Sequence, residues 1–319
     1  MPPSLSEKYR SLKSATKQIE TREFADYLAD ITEYSLGLLN GTCEEIPLVS
    51  LVPGKEYFAF RHRSPSRRAG QASSGRTSRP VNRGLFIGDP NELKTILGAF
   101  LGANYGGLTT QRTTQLLYTL AMAFCAANDV AKTGDKKTPA TYFEMMIGHI
   151  FAREFGVKPG KRVNVPSVED MSAGLPTDFI FDLGPKQAKF HLPVKLSTRE
   201  RVIQVWAHQR VLNGIHGEGR FKGILVVLTE TKLNLRTSEV VEICLPLQWT
   251  VYQRYVARLD RVYYLDVPSR YAMLSSTFPS ITVKALGEFF TEKSALISGY
   301  RLSLGLRCPL PENQKVGMV

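Results

Sequence analysis

No run of apolar residues approaches the roughly 20 that a membrane-spanning helix needs, and the polar start MPPSLSEKYRSLK lacks the apolar stretch of a secretory signal. Cysteine is scarce. Cys43, Cys125, Cys244 and Cys308 lie far apart and form no CxxC pair, which excludes the common zinc and redox spacings. They read as reduced, buried residues of an intracellular protein. His62, His149, His191 and His216 show no metal-ligand spacing and read as structural. Acid is also in short supply: 29 Asp and Glu face 41 Lys and Arg, leaving a net charge of +12. Such a surplus favours a polyanionic partner, nucleic acid before an anionic membrane face. Otherwise the 319 residues are 43% apolar and 22% charged. That excludes wholesale disorder and a coiled coil, and it suits one large domain, or one domain with an arm.

The positive charge is concentrated. The stretch RHRSPSRRAGQASSGRTSRPVNRG, residues 61–84, holds Arg61, Arg63, Arg67, Arg68, Arg76, Arg79 and Arg83 and no acid. Nearly devoid of apolar residues, it predicts an arm that tracks the phosphates of a duplex, the competing reading being a solvated linker. Tyr57, Phe58 and Phe60, just ahead of it, are placed to touch bases.

Helical periodicity runs from Glu7 to Leu39, and helices are predicted at Pro90–Leu101 and Thr109–Ala127. Thr138 as cap with Pro139 behind it opens another that closes on Gly156. Strands follow at Arg162–Pro166, Asp178–Leu183, Lys189–Leu196, Gly223–Thr229, Val240–Leu247 and Arg261–Val267. Helices are expected at Arg199–Asn213, Gln248–Leu259 and Thr282–Ser298. This order predicts an α/β (α+β) architecture, a central mixed sheet flanked by helices, with a helical N-terminal region.

The chemistry concentrates in GLPTDFIFDLGPKQAKFHLPVKLSTRERVIQVWAHQRVLNG, residues 174–214. Asp178 enters one strand after a turn, and Lys195 lies on the next, so a hairpin brings both to one sheet edge. Phosphodiester hydrolysis uses such a pair. A carboxylate holds Mg²⁺ against the phosphate, and an ammonium orients the attacking water. By themselves the two equally suit a surface aspartate and a strand-edge lysine. Directly behind the lysine comes Ser197-Thr198-Arg199-Glu200-Arg201, a capped helix start. The two arginines can each bind guanine O6 and N7, and the glutamate can accept from cytosine N4, a complete reader of adjacent G·C pairs. Trp206 on the same helix reads as core.

These residues, with Gln204 one turn later, resemble the type II restriction endonucleases related to EcoRII, SsoII and PfoI, of the PD-(D/E)XK superfamily. The resemblance covers roughly Thr138 to Gly214, and the Arg-Glu-Arg triplet is its most specific part. It implies a catalytic core of restriction-endonuclease-like fold over 106–319, behind a region, 1–105, for DNA contacts and dimerisation. It further implies a prokaryotic, cytoplasmic homodimer that cuts both strands of double-stranded DNA at a palindromic CC…GG site (CCNGG-like) with Mg²⁺. Asp178 would hold the metal, Lys195 would be the catalytic lysine, and Arg199, Glu200 and Arg201 would read bases. An additional acid belongs on the preceding helix: Glu144, beside Gly148, with Glu154 as the alternative.

The sequence departs from the pattern in two ways. Pro193 stands two residues before the lysine, where an acid is usual. About four helical turns past the lysine, where the group carries that acid instead, the chain has His208 and Gln209. Either could replace a ligand or orient a water. A repair or nicking nuclease of the same fold, and a catalytically inactive DNA-binding protein, therefore stand as alternatives.

Overall fold

The computed structural model describes residues 4–63, 76–102, 107–132, 134–166, 172–185, 187–199 and 202–298. The periodic stretch 7–39 is two helices, α1 (Leu5–Ser14) and α2 (Arg22–Thr42), separated by a 3-10 turn at Ala15–Gln18. Each has its own cap. Ser4 and Glu7 form a reciprocal capping box, and the Thr21 hydroxyl accepts the Phe24 N–H. Apolar spacing carries on across the break, so only the caps reveal it.

The N-terminal region is not solely helical. Strands β1 (Cys43–Ser50), β2 (Tyr57–His62) and β3 (Val81–Asn82) pair antiparallel. On its other side β1 runs parallel to a later strand, giving a sheet joined to sequence near residue 240. Tyr57, Phe58 and Phe60 are buried in this sheet, with Phe58 and Phe60 in edge-on ring contact with each other and with Phe86. They are core residues, which corrects the expectation that they touch bases.

Helices α3 (Pro90–Leu101) and α4 (Thr110–Ala131) follow, the second buried along nearly its whole length. Helix α5 (Lys137–Phe155) starts one residue before Thr138. Asp135, rather than Thr138, supplies the capping oxygen, accepting the Thr138 N–H at 3.0 Å. Its end is as expected: Gly156 adopts the left-handed conformation (φ +66°).

The main sheet contains β4 (Gly160–Pro166), β5 (Ser172–Asp182), β6 (Lys189–Leu192), β7 (Val194–Lys195), β8 (Phe221–Val227), β11 (Arg261–Tyr264) and β12 (Val283–Ala285). Its order is β12-β11-β8-β6-β5-β4, with β7 beside β8. β4, β5 and β6 are antiparallel, and the rest are parallel, so the sheet is mixed. Strands β9 (Thr231–Asn234) and β10 (Glu239–Glu242) leave it to join β1. Helices α6 (Val202–His216), α7 (Pro246–Tyr255), α8 (Ser269–Thr277) and α9 (Phe289–Ser298) complete the described chain. Two boundaries differ from expectation. Pro246 opens α7 where a strand was predicted, and residues 283–288 form β12 and a 3-10 turn ahead of α9.

Both faces of the sheet are covered. Phe179, Phe181, Phe190 and Leu192 join α4 and α5 in one core that extends from Leu5 to Leu296. On the other face Ile180 and Phe221 pack with Leu212 of α6, and Trp206 packs against Trp249. Cys43, Cys125 and Cys244 are buried free thiols; Cys308 lies outside the described residues.

Candidate active site

Asp178 sits in the middle of β5 rather than at its entry, opposite the point where Pro193 separates β6 from β7. Proline has no N–H to continue the ladder. The next N–H, that of Val194, donates instead to Asp178 Oδ2 at 2.8 Å. Lys195 Nζ reaches the same oxygen, also at 2.8 Å, with both side chains partly exposed. The two residues that the sequence singled out therefore meet, across the break between β6 and β7 and inside the sheet, not at its edge.

Glu144 approaches from α5. Burial pushes its carboxyl above the usual range; the Asp178 carboxylate pushes the same way, while Lys195 and Lys161 oppose it. Mutually repelling carboxylates beside an ammonium are a natural place for a cation. The rival acid is committed elsewhere: Glu154 is buried and ion-paired to Lys293. Gly148, one turn after Glu144, holds α5 against β5. A Cβ there would run into the Phe179 ring, adjacent to Asp178.

On the α6 side lies a cleft of about 180 Å³, lined by Pro176, Thr177, Asp178, His191, Pro193, Lys195, Gln204, Val205 and His208. His208 is in position beside Asp178 and Lys195. Burial, then the Lys195 ammonium, lowers its pKa, with Asp178 opposing. Gln209 is not on this wall. It is buried, its amide donating to Asn213 Oδ1 (3.0 Å) and Phe221 O (2.8 Å), while its oxygen meets His191 Nδ1 at 3.0 Å. With its hydrogen-bonding capacity used inside the core, Gln209 is no metal ligand here, a correction to the sequence reading.

His191 is the residue that sequence reasoning missed. It is 1% exposed, lines the cleft, and has a pKa lowered to about 4, mainly by burial. Without a spacing motif, its only sequence signal is that it precedes the lysine on the same chain segment, beyond the proline break. Among the described residues no group of three or more His, Cys, Asp or Glu side chains is placed to hold a metal ion. The donors suit an open site, since Mg²⁺ is typically held by one or two carboxylates and keeps waters and substrate phosphate as its other ligands.

The segment behind the lysine is clamped differently from a helix cap. Thr198 gives both its N–H (2.9 Å) and its hydroxyl (2.6 Å) to Glu230 Oε1, which also accepts from Tyr264 at 2.9 Å. Burial lifts the Glu230 carboxyl to about 7 despite these bonds. Arg199 follows, its Nε 3.3 Å from Ser197 Oγ, and the described part of α6 runs from Val202. Glu200 and Arg201 lie outside the described residues.

The arginines of 61–84 divide into two kinds. Arg61 is paired with Glu44, Arg83 with Glu45, and Arg79 with both oxygens of Asp129. These three are already paired within the fold, contrary to the expectation of a free phosphate-tracking arm. Arg63 and Arg76 are exposed and reach main-chain oxygens of Asn40 and Ala131. Arg67 and Arg68 lie outside the described residues.

The mixed sheet with helices on both faces, with Asp178 on β5 and Lys195 on β7, matches the restriction-endonuclease-like fold on comparison with solved structures. Among solved structures the chain is similar to the type IIP restriction endonuclease Kpn2I, with a TM-score of 0.74 and 23% identity over 94% of this chain and 98% of that one. It also aligns with the restriction endonuclease PspGI in complex with substrate DNA, at a TM-score of 0.41 and 14% identity over 64% of this chain and 91% of that one. No protein-family model and no curated protein matches the sequence. No helix of the described residues is long and apolar enough to cross a membrane.

Proposed function

We propose that the protein is a type II restriction endonuclease, hydrolysing both strands of duplex DNA in a Mg²⁺-dependent reaction at a palindromic site containing CC…GG. One observation carries the reading. Lys195 and Asp178 are joined at 2.8 Å where β5 faces the break between β6 and β7, and the chain leads from that lysine straight into Arg199-Glu200-Arg201.

Asp178 and Glu144 would hold the metal, with His208 at the cleft margin; when bound, it would supply charge neutralisation at the scissile phosphate and a more acidic water. Lys195 orients the water and stabilises the charge growing on the phosphate. Pro193 keeps the Val194 N–H on Asp178, which fixes that carboxylate in place. Thr198, anchored to Glu230, sets where the reader begins relative to the lysine. Arg199 and Arg201 donate to guanine edges and Glu200 accepts from cytosine. Arg63 and Arg76 offer exposed positive charge to the DNA backbone. A homodimer would present one reader to each half of the palindrome.

Incubating the protein with plasmid DNA and Mg²⁺, then sequencing the ends, tests the proposal. Discrete fragments ending at CC…GG sites are expected. A smear or single-strand nicks would favour the repair or nicking nuclease, and intact plasmid would favour the inactive DNA-binding protein.

A further inference from the structure

We infer that His191 supplies a nitrogen ligand to the divalent cation held by Asp178, making the centre a mixed carboxylate–imidazole site. The inference rests on the metal-dependent reading above and adds to it a residue and a metal preference.

His191 is 1% exposed, yet its Nε2 has no hydrogen-bond partner among the described residues. A buried polar atom left in this state is costly, and its retention calls for an explanation. The tautomer follows from the neighbours. Phe221 O can only accept, so the end of the Gln209 amide 2.8 Å from it is the NH₂ group. The other end is then an oxygen, and it faces His191 Nδ1 at 3.0 Å, so Nδ1 donates. Nε2 is left with a bare lone pair.

The ring is also locked in place. A Cβ at Gly223 would come within 2.7 Å of Gln209 Oε1, so this glycine provides the room for the amide. An imidazole that donates one N–H to an orienting group and presents its other nitrogen is the usual arrangement of a metal-bound histidine. Gln209, removed above from the list of ligands, becomes the group that aims one.

The location distinguishes His191 from the protein's other buried histidine. His149 Nε2 also has no partner among the described residues, but its ring packs 5.1 Å from Phe24 within the apolar core. His191 lines the cleft together with Asp178 and Lys195. A bare imidazole nitrogen on a residue of the cleft that also holds the Asp178 carboxylate points to a ligand between them. An imidazole nitrogen suits Co²⁺ or Ni²⁺ better than Mg²⁺, so the site should bind the former more tightly.

Mn²⁺ added to the purified protein, read by pulsed electron paramagnetic resonance, provides the test. Wild type should show ¹⁴N coupling from an imidazole. His191→Asn keeps a donor facing Gln209 and deletes Nε2, so it should lose that coupling and weaken Mn²⁺ binding by at least about tenfold. His208→Asn should keep the coupling. Bound Mn²⁺ without nitrogen coupling in wild type, or coupling that survives in His191→Asn, overturns the inference and leaves the metal-dependent reading intact. A wild type that binds no Mn²⁺ overturns both.

Discussion

Lys195 Nζ lies 2.8 Å from Asp178 Oδ2, and the Val194 N–H shares that oxygen at the same distance. The carboxylate is therefore oriented by two donors before DNA or metal arrives, one of them fixed in the backbone. Asp178→Ala removes the proposed metal ligand while leaving the reader untouched. It should abolish cleavage and spare site-specific binding, measured by gel shift without metal. Full cleavage by this variant would remove Asp178 from the catalytic assignment.

Gly148 is the seat on which α5 meets β5. Gly148→Ala forces a methyl group into the Phe179 ring and should cost about 1–3 kcal/mol, the usual range for overpacking. The displaced element carries Glu144, so cleavage should fall at temperatures where the variant is still folded. Urea denaturation and a cleavage assay on the same preparation check the pair of effects. Unchanged stability would mean that the close approach is readily relaxed.

Glu230 gives a pH signature. Its carboxyl is lifted from 4.5 to about 7 in the folded protein, so between those values the native state holds a proton that the unfolded chain has lost. Its contribution to stability is fully present below about pH 4.5 and is lost as the pH rises through about 7. Relative to wild type, Glu230→Gln should therefore gain stability from pH 5 to pH 8, by about 3 kcal/mol at most. Thermal melts across that range test it; a constant difference would show that Glu230 ionises normally.

The arginines make separable predictions. Arg79→Ala breaks a two-pronged pair with Asp129 and should cost about 1–3 kcal/mol of stability, leaving the salt dependence of DNA binding unchanged. Arg63→Ala and Arg76→Ala should each flatten that dependence by about 0.9 log units if they touch phosphates. Arg199→Ala should cost about 1–3 kcal/mol and relax choice at one base pair. A loss equal for all sequences would make Arg199 a phosphate contact.

The fold was legible in the sequence where periodicity and punctuation agree. Gly156 ended α5 as expected, the mixed sheet formed, and Asp178 and Lys195 met because two strands joined at Gly184-Pro185 must return side by side. Less legible was whatever depends on partners distant in sequence. Nothing local to the arginine-rich stretch reveals that Glu44, Glu45 and Asp129 neutralise three of its charges. Tyr57, Phe58 and Phe60 next to it read as residues placed to touch bases, because their burial comes from β1 and Phe86. Thr198 had the features of a helix cap, yet Glu230, which takes its N–H and hydroxyl, enters some 30 residues later. His191 was passed over for the same reason, since its significance lies in Gln209 and the cleft and not in any spacing.

The central claim is that Lys195 and Asp178 form a metal-dependent centre for cutting DNA, and one comparison tests it most directly. Wild type and Lys195→Ala are incubated with the same plasmid in Mg²⁺ and, separately, in Mn²⁺, and double-strand cleavage rates are measured. Wild type should give discrete fragments, and the variant should be slower by at least about a hundredfold while still binding the DNA. Equal rates for the two proteins, or an intact plasmid with wild type in both metals, would contradict the account.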